Sequence, residues 1–316
     1  MKRSVIQIAN STQMISLPRS WSKRFNIQKG DELEVMEKGT MVTISTENAK
    51  SSKKREIDFA ELEPTTIKKV LYGLYNVGYD EVKINFPDVS SLDFIQEVLK
   101  DEMIGYEIIE QKEHHIIVKS IAGGIETEFD NMLRRALVLL NTMSEGVLNA
   151  LKKKDAYAIK SLKYLEVNNN KYIAFCYRIL SRRGYVEFEK THFMYGVLGE
   201  LEKCADQLKY LCDYLEENKH HLGSIDQQTL EFFESVNKYV EEANILFYNF
   251  DLKKVNKFFI KRKALIKRGL DITNKHNLCS VKVKNKGICH TRMTFYAVNL
   301  VQNLVDMIAR RMESLL

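Results

Sequence analysis

Apolar and polar positions change rhythm along this chain of 316 residues. Near the start they alternate over short runs, the period of half-buried strands. Val5 to Ile8 and Met41 to Thr46 read as strands. Between them, Met14 to Val35 reads as strand, one or two helical turns, turn and strand. Four short strands around one small helix cannot enclose a core in so few residues, so this piece needs a second copy of itself.

Residues 48–56 are polar and predict a linker. A mixed rhythm follows. Pro64 to Val77 suits a helix stopped by Gly78. Glu81 to Phe86 alternates as a strand, and Ser90-Ser91-Leu92-Asp93 has the capping-box pattern of a helix running to about Asp101. Tyr106 to Glu110 and His114 to Lys119 predict a hairpin, and Gly123-Gly124 ends this α+β piece.

From Ile125 onward the period is helical. Phe129, Met132, Ala136, Leu140, Met143, Val147 and Leu151 recur at three and four. Further helices are predicted over roughly 155–182, 190–218, 226–249, 251–275 and 288–315, with Gly184, Gly223 and Gly287 between them. The prolines are Pro18, Pro64 and Pro87, so the last 229 residues hold none, as long helices require. The helices divide into two sets of three, an internal repeat of about a hundred residues. The expected fold class is mainly α with a small β N-terminal domain. Its domains are a β module over 1–47, an α+β connector over 56–122, and three-helix bundles over 125–222 and 226–316.

Charge adds a contrast that hydropathy does not show. Residues 1–55 hold 11 Lys+Arg and 5 Asp+Glu, a net +6 that equals the net charge of the whole chain. A small, basic, self-pairing module is a common footprint of DNA binding. Lys2, Arg3, Arg19, Lys23 and Arg24 are the residues expected to face DNA. A second basic stretch, residues 251–292, has 13 basic and 2 acidic residues. Lys254, Lys257, Lys261 and Arg268 share one side of a helix there, more simply a solvated face partly paired with Glu231, Glu234, Glu241 and Glu242 than a second DNA surface.

No stretch of 18 apolar residues occurs, so no transmembrane helix is expected. Met-Lys-Arg-Ser leads into an alternating strand and is not expected to be a signal peptide. The five cysteines, Cys176, Cys204, Cys212, Cys279 and Cys289, follow no framework spacing and are expected to be reduced in a cytoplasm. Cys279, Cys289 and His290 fit no standard zinc spacing. His114 and His115 are adjacent on a strand, face opposite ways and cannot share a metal. Phosphate loops, nucleophile elbows and His-rich motifs are missing, and no enzyme activity is expected. One cluster has metal-site chemistry. Glu202 and Asp206 are four apart on one helix face, and Glu166 and Asn170 repeat that spacing on the preceding helix. Their oxygens could hold a divalent or iron-type cation, or the site could stay metal-free.

Ser16-Leu17-Pro18-Arg19-Ser20-Trp21, followed by Phe25-Asn26-Ile27-Gln28-Lys29-Gly30-Asp31-Glu32-Leu33-Glu34-Val35, resembles the AbrB/SpoVT swapped-hairpin DNA-binding family. Leu201-Glu202-Lys203-Cys204-Ala205-Asp206-Gln207-Leu208, with Glu166 to Asn170, resembles the metal motif of the PhoU family of phosphate-signalling regulators. Leu74 to Asp80 and Met103 to Glu110 look like the connector of archaeal proteins that fuse the two. In the second repeat the motif position reads Asn299-Leu300-Val301-Gln302-Asn303, amides where the family has carboxylates, and Asn170 stands where an acid is usual. The resemblance therefore implies at most one substantial metal site, in the first repeat.

It also implies a cytoplasmic transcriptional regulator of phosphate uptake or phosphate-responsive genes. Double-stranded DNA and a second copy of the chain would be partners, with the helices sensing a ligand or protein. The alternative is an adaptor that does not bind DNA and regulates a phosphate ABC transporter or kinase by protein contact.

Overall fold

The computed structural model describes residues 2–8, 11–46, 53–121, 128–279 and 284–316. The expected boundary at Gly123-Gly124 and the helix start at Ile125 lie outside them. The chain divides into two units, Met1–Ser52 and Lys53–Leu316.

The first unit is two antiparallel hairpins and a short helix. β1 (Ile6–Ile8) pairs with β2 (Thr12–Met14), and β3 (Leu33–Lys38) pairs with β4 (Met41–Thr46). The two ribbons are separate sheets. α1 (Arg19–Arg24) follows Pro18, whose missing N–H costs nothing at a helix start. Gly30 takes φ +99° in the turn before β3, and Asp31 accepts a hydrogen bond from the Gln28 N–H at 2.7 Å. Among the described side chains of this unit only Thr46 is buried. Val5, Val35 and Val42 are each more than 60% exposed, and Ile6, Ile8, Met14, Ile15 and Phe25 are also exposed. These strands have found no apolar cover within their own unit.

The second unit begins with an α/β layer. β5 (Lys54–Asp58) runs parallel to β6 (Glu81–Asn85) after α2 (Pro64–Val77). α3 (Val89–Glu102) leads to the hairpin of β7 (Tyr106–Gln111) and β8 (His115–Ser120), giving the sheet order β5-β6-β8-β7. Two expectations about this layer need correction. Lys54 to Glu56 form an edge strand, not the end of a linker. Their charges hide the alternation, and they pair across the sheet as Lys54–Glu81 and Glu56–Lys83, each at 2.8 Å. The capping box at Ser90 to Asp93 is displaced too: Asp88 caps α3, accepting from the Ser91 N–H at 2.8 Å.

Helices account for the rest of the unit. α4 (Phe129–Lys153), α5 (Ala156–Arg183) and α6 (Thr191–Glu217) form one set. α7 (Gln227–Tyr248), α8 (Leu252–Cys279) and α9 (Lys284–Glu313) form the other. α9 starts earlier than expected, so Gly287 lies inside it rather than between helices. Asp155 caps α5 through the Tyr157 and Ala158 N–H groups, and Asp226 caps α7 through Thr229. α6 packs on α9 and α4 on α7, so Met143, Leu201, Leu208, Leu300 and Leu304 fill one core shared by both bundles. α2 and α3 pack against α5, which places the α/β layer on the first bundle. Among the described residues, no helix is long and apolar enough to cross a membrane.

Candidate functional site

The four residues singled out for a cation come from α5 and α6. Glu166 is buried on α5, and its Oε1 accepts from Asn170 Nδ2 at 2.7 Å and from Lys209 Nζ at 3.1 Å. Glu202 and Asp206 stand one turn apart on α6 and are half-buried. Cys204 between them faces the core. Burial pushes the Glu202 carboxyl up, and the charges of Asp206 and Glu166 add to this against Lys69. Burial likewise pushes Asp206 up, aided by Glu166 and opposed by Lys209 and Lys69. Carboxylates held above their ordinary range carry negative charge that the site compensates only in part.

Side chains from other elements surround this cluster. Tyr72 of α2 donates its hydroxyl to the Asn170 carbonyl at 3.0 Å. Burial, with the charges of Glu202 and Glu102, raises its phenol far above the ordinary value and keeps it neutral. Burial works against the Lys209 ammonium, but Glu166 and Asp206 outweigh it and raise its pKa. The Oδ1 of Asn170 is buried without a hydrogen-bond partner. An orphaned acceptor beside three carboxylates suits a hard or borderline cation. Yet Glu166, Glu202 and Asp206 do not place donor atoms all within 4.8 Å of one another. Lys209 supplies the counter-charge that Glu166 would otherwise take from a metal. In the second repeat, Gln302 donates to both oxygens of Asp306, at 3.1 and 3.2 Å, and no carboxylate pair stands at Asn299 and Asn303.

The five residues expected to face DNA belong to the first unit. Lys2 and Arg3 precede β1; Arg19, Lys23 and Arg24 lie on α1. All are exposed, and none forms an ion pair among the described residues. On the basic helix α8, Lys261 pairs with Glu242 at 2.6 Å and Arg268 with Glu231 at 3.3 Å. Glu234 turns instead to Lys152 at 2.6 Å, and Glu241 accepts from Asn237.

Cys176, Cys204 and Cys212 are buried free thiols. Burial pushes each pKa up, Cys212 to about 12, which suits core packing rather than reactivity. The side chains of Cys279 and Cys289 lie outside the described residues. His114 lies in the turn before β8, exposed beside Glu113, rather than on the strand with His115 as expected, and His115 opens β8 and faces Glu110 at 3.5 Å.

Sequence reasoning missed Lys69, Tyr72 and Lys209. Lys209 had a signal, standing three residues after Asp206 and so on the same helix face. Lys69 and Tyr72 had none, since only the packing of α2 on α5 brings them in. It also missed a His and Asp group at one end of the second bundle, whose members lie far apart in sequence.

No protein-family model matches this chain, and no curated protein matches it significantly. Among solved structures, the phosphate transport system regulatory protein PhoU from Streptococcus pneumoniae overlaps it with a TM-score of 0.45 at 10% identity, covering 60% of this chain and 96% of that one. That partial overlap identifies neither a family nor a ligand for this chain.

Proposed function

We propose that this protein is a dimeric DNA-binding regulator of phosphate uptake or phosphate-responsive genes, without catalytic activity. One observation carries the DNA reading: five exposed, unpaired basic residues sit on a unit whose apolar strands lack cover. A second copy supplies the cover, in the manner of a swapped-hairpin dimer, and doubles the basic face. Phosphate contacts then release counterions and make affinity fall with salt.

The link with phosphate rests on the resemblance of Leu201 to Leu208 and Glu166 to Asn170 to the PhoU motif. In this reading the helical part is the sensor, and the cluster at Glu166, Asn170, Glu202 and Asp206 responds to a cation or a protein partner. The chemistry of the residues fits a divalent or iron-type cation. Glu202 and Asp206 would hold it, with Asn170 Oδ1 beside them, and the charge it supplies would quench their repulsion.

The test is DNA binding by the full chain over a series of salt concentrations, with the Arg19→Ala/Arg24→Ala variant alongside. The variant should bind more weakly and with a flatter salt dependence, each lost phosphate contact lowering the slope by about one. Equal affinity and slope in both proteins would overturn the assignment. A dimer without affinity for any DNA at low salt would leave the adaptor function instead.

A further inference from the structure

Three helix ends meet at one corner of the second bundle. Asp226 caps α7, His276 lies in the last turn of α8, and His290 lies near the start of α9. A ligating atom from each lies within 4.8 Å of the others, the one such group of His, Cys, Asp and Glu side chains among the described residues. The two imidazoles stack, with 3.8 Å between centroids and 2° between planes. His276 Nε2 is 3.2 Å from Asp226 Oδ2, close enough for an ion pair if the ring is charged. The same nitrogen is buried and has no hydrogen-bond partner, so at that distance the angle must be wrong for one.

We propose that Asp226, His276 and His290 form a binding site for a transition metal of the zinc type, outside the carboxylate cluster of the first repeat. Two imidazole nitrogens and one carboxylate oxygen form a donor set that zinc takes in three-ligand sites with an open fourth position. Calcium or magnesium would demand more oxygens. Bonds of about 2.0–2.1 Å in a tetrahedron put donors about 3.3 Å apart. The longest separation therefore closes by no more than about 1.5 Å, and the rings tilt out of their stack so that their in-plane lone pairs converge.

The surroundings favour this state. Thr229 is fully buried and orients two of the three ligands. Its Oγ1 is 3.0 Å from His290 Nδ1, and its N–H donates to Asp226 Oδ1 at 2.8 Å. Such supporting bonds fix the tautomer and direction of a metal-bound histidine. Burial, with His276 beside it, holds His290 below the usual imidazole range, against Asp226 and a hydrogen bond to the Ser224 backbone. Two groups compete. The Ser224 bond must be exchanged if it uses the ligating nitrogen. Lys275 Nζ lies 3.7 Å from Asp226 Oδ2, but its side chain is more than half exposed and already bonds Gln228 at 2.8 Å. Asp226 is about a third exposed, which leaves a route in from solvent.

The experiment is a zinc titration of chelator-treated full-length protein against a chromophoric competitor, repeated with cobalt(II) to read the d–d absorption of a four-coordinate site. Two ligand variants are used, His276→Gln and Asp226→Ser. Serine keeps a good helix cap while removing the carboxylate. Glu202→Gln/Asp206→Asn is the control for the other cluster, and circular dichroism checks that each variant is folded. The expected result is one zinc with intense cobalt bands that wild type and the control both bind, any second ion held at Glu202 and Asp206 being lost in the control alone. Both ligand variants should bind zinc more weakly by more than the about 10–100-fold that loss of a supporting residue causes. Absence of zinc binding by wild type overturns the site. So does unchanged affinity in both ligand variants, or loss of the zinc only in the Glu202→Gln/Asp206→Asn control.

Discussion

Arg178 is the residue on which the α/β layer hangs. It is buried on α5, with NH1 donating to the carbonyls of Tyr75 at 3.0 Å and Tyr79 at 2.8 Å. Its guanidinium lies 5.1 Å from the ring centroids of both Tyr75 and Tyr106, and NH2 faces Asp80 at 3.4 Å. Arg182, one turn on, donates to the Gly78 carbonyl at 3.0 Å and also pairs with Asp80. Two arginines thus add charged donors to carbonyls at and just beyond the end of α2, joining the Gly78 N–H on Tyr75 and the Tyr106 hydroxyl on Tyr79. Arg178→Met removes these charged hydrogen bonds, the contact with Asp80 and both ring contacts, although the Tyr75 carbonyl keeps the Gly78 N–H and the Tyr79 carbonyl keeps the Tyr106 hydroxyl. It should cost about 3 kcal/mol in chemical denaturation. A loss below about 1 kcal/mol would mean that Arg182 and water take over its bonds.

At Glu202 and Asp206 the prediction concerns pH. Both carboxyls are raised in the folded chain. Just above the ordinary carboxylate range the folded state therefore binds more protons than the unfolded one, so stability falls as pH rises through that window. Acidification from neutrality toward that range should stabilise the metal-free protein through these two groups. Glu202→Gln/Asp206→Asn should be more stable than wild type at neutral pH, with the difference narrowing on acidification. Thermal melts of both proteins across pH decide it, and a wild type equal to the variant at every pH would refute the raised values.

Among the elements, the long helices were the most legible. A three-and-four stripe without proline fixes their extent, and α4 to α9 lie within a few residues of the expected bounds. The sheet edge was not legible, because β5 opens with Lys54-Arg55-Glu56, whose charges serve cross-strand pairs rather than a buried face. The carboxylate pair on α6 could be read because four residues make one helical turn. The His276 and His290 contact could not, since it forms across the α8–α9 connection. Close helix contact was hidden as well. Gly269 looks like a weak point in α8, yet a Cβ there would stand 2.6 Å from Val298 Cγ2, 3.1 Å from Thr294 Cγ2 and 3.2 Å from the Phe232 ring. Gly269→Ala should therefore destabilise by about 1–3 kcal/mol in denaturant titration, despite alanine's better helix propensity. Stabilisation would mean that α8 and α9 can part at no cost.

For the whole molecule, the two units predict different dependence on concentration. The helical unit has its own core of buried Leu, Phe and Met side chains, each contributing about 1.5–3 kcal/mol when fully buried. Residues 53–316 should melt at a temperature independent of protein concentration, whereas the N-terminal unit of the full chain should gain stability as concentration rises. Analytical ultracentrifugation should find the full chain dimeric at micromolar concentration. A monomer there would remove the basis for the paired basic face.

The uncovered valines and isoleucines of the first unit carry a consequence for gene dosage. If the unit binds an operator, as proposed, and does so only when two chains meet, the competent form at low expression grows with the square of the number of chains in the cell. Halving synthesis would then cut promoter occupancy about fourfold, by mass action on the monomer–dimer equilibrium. Such a regulator responds more steeply to its own copy number than a monomeric binder does, before any ligand reaches its helices.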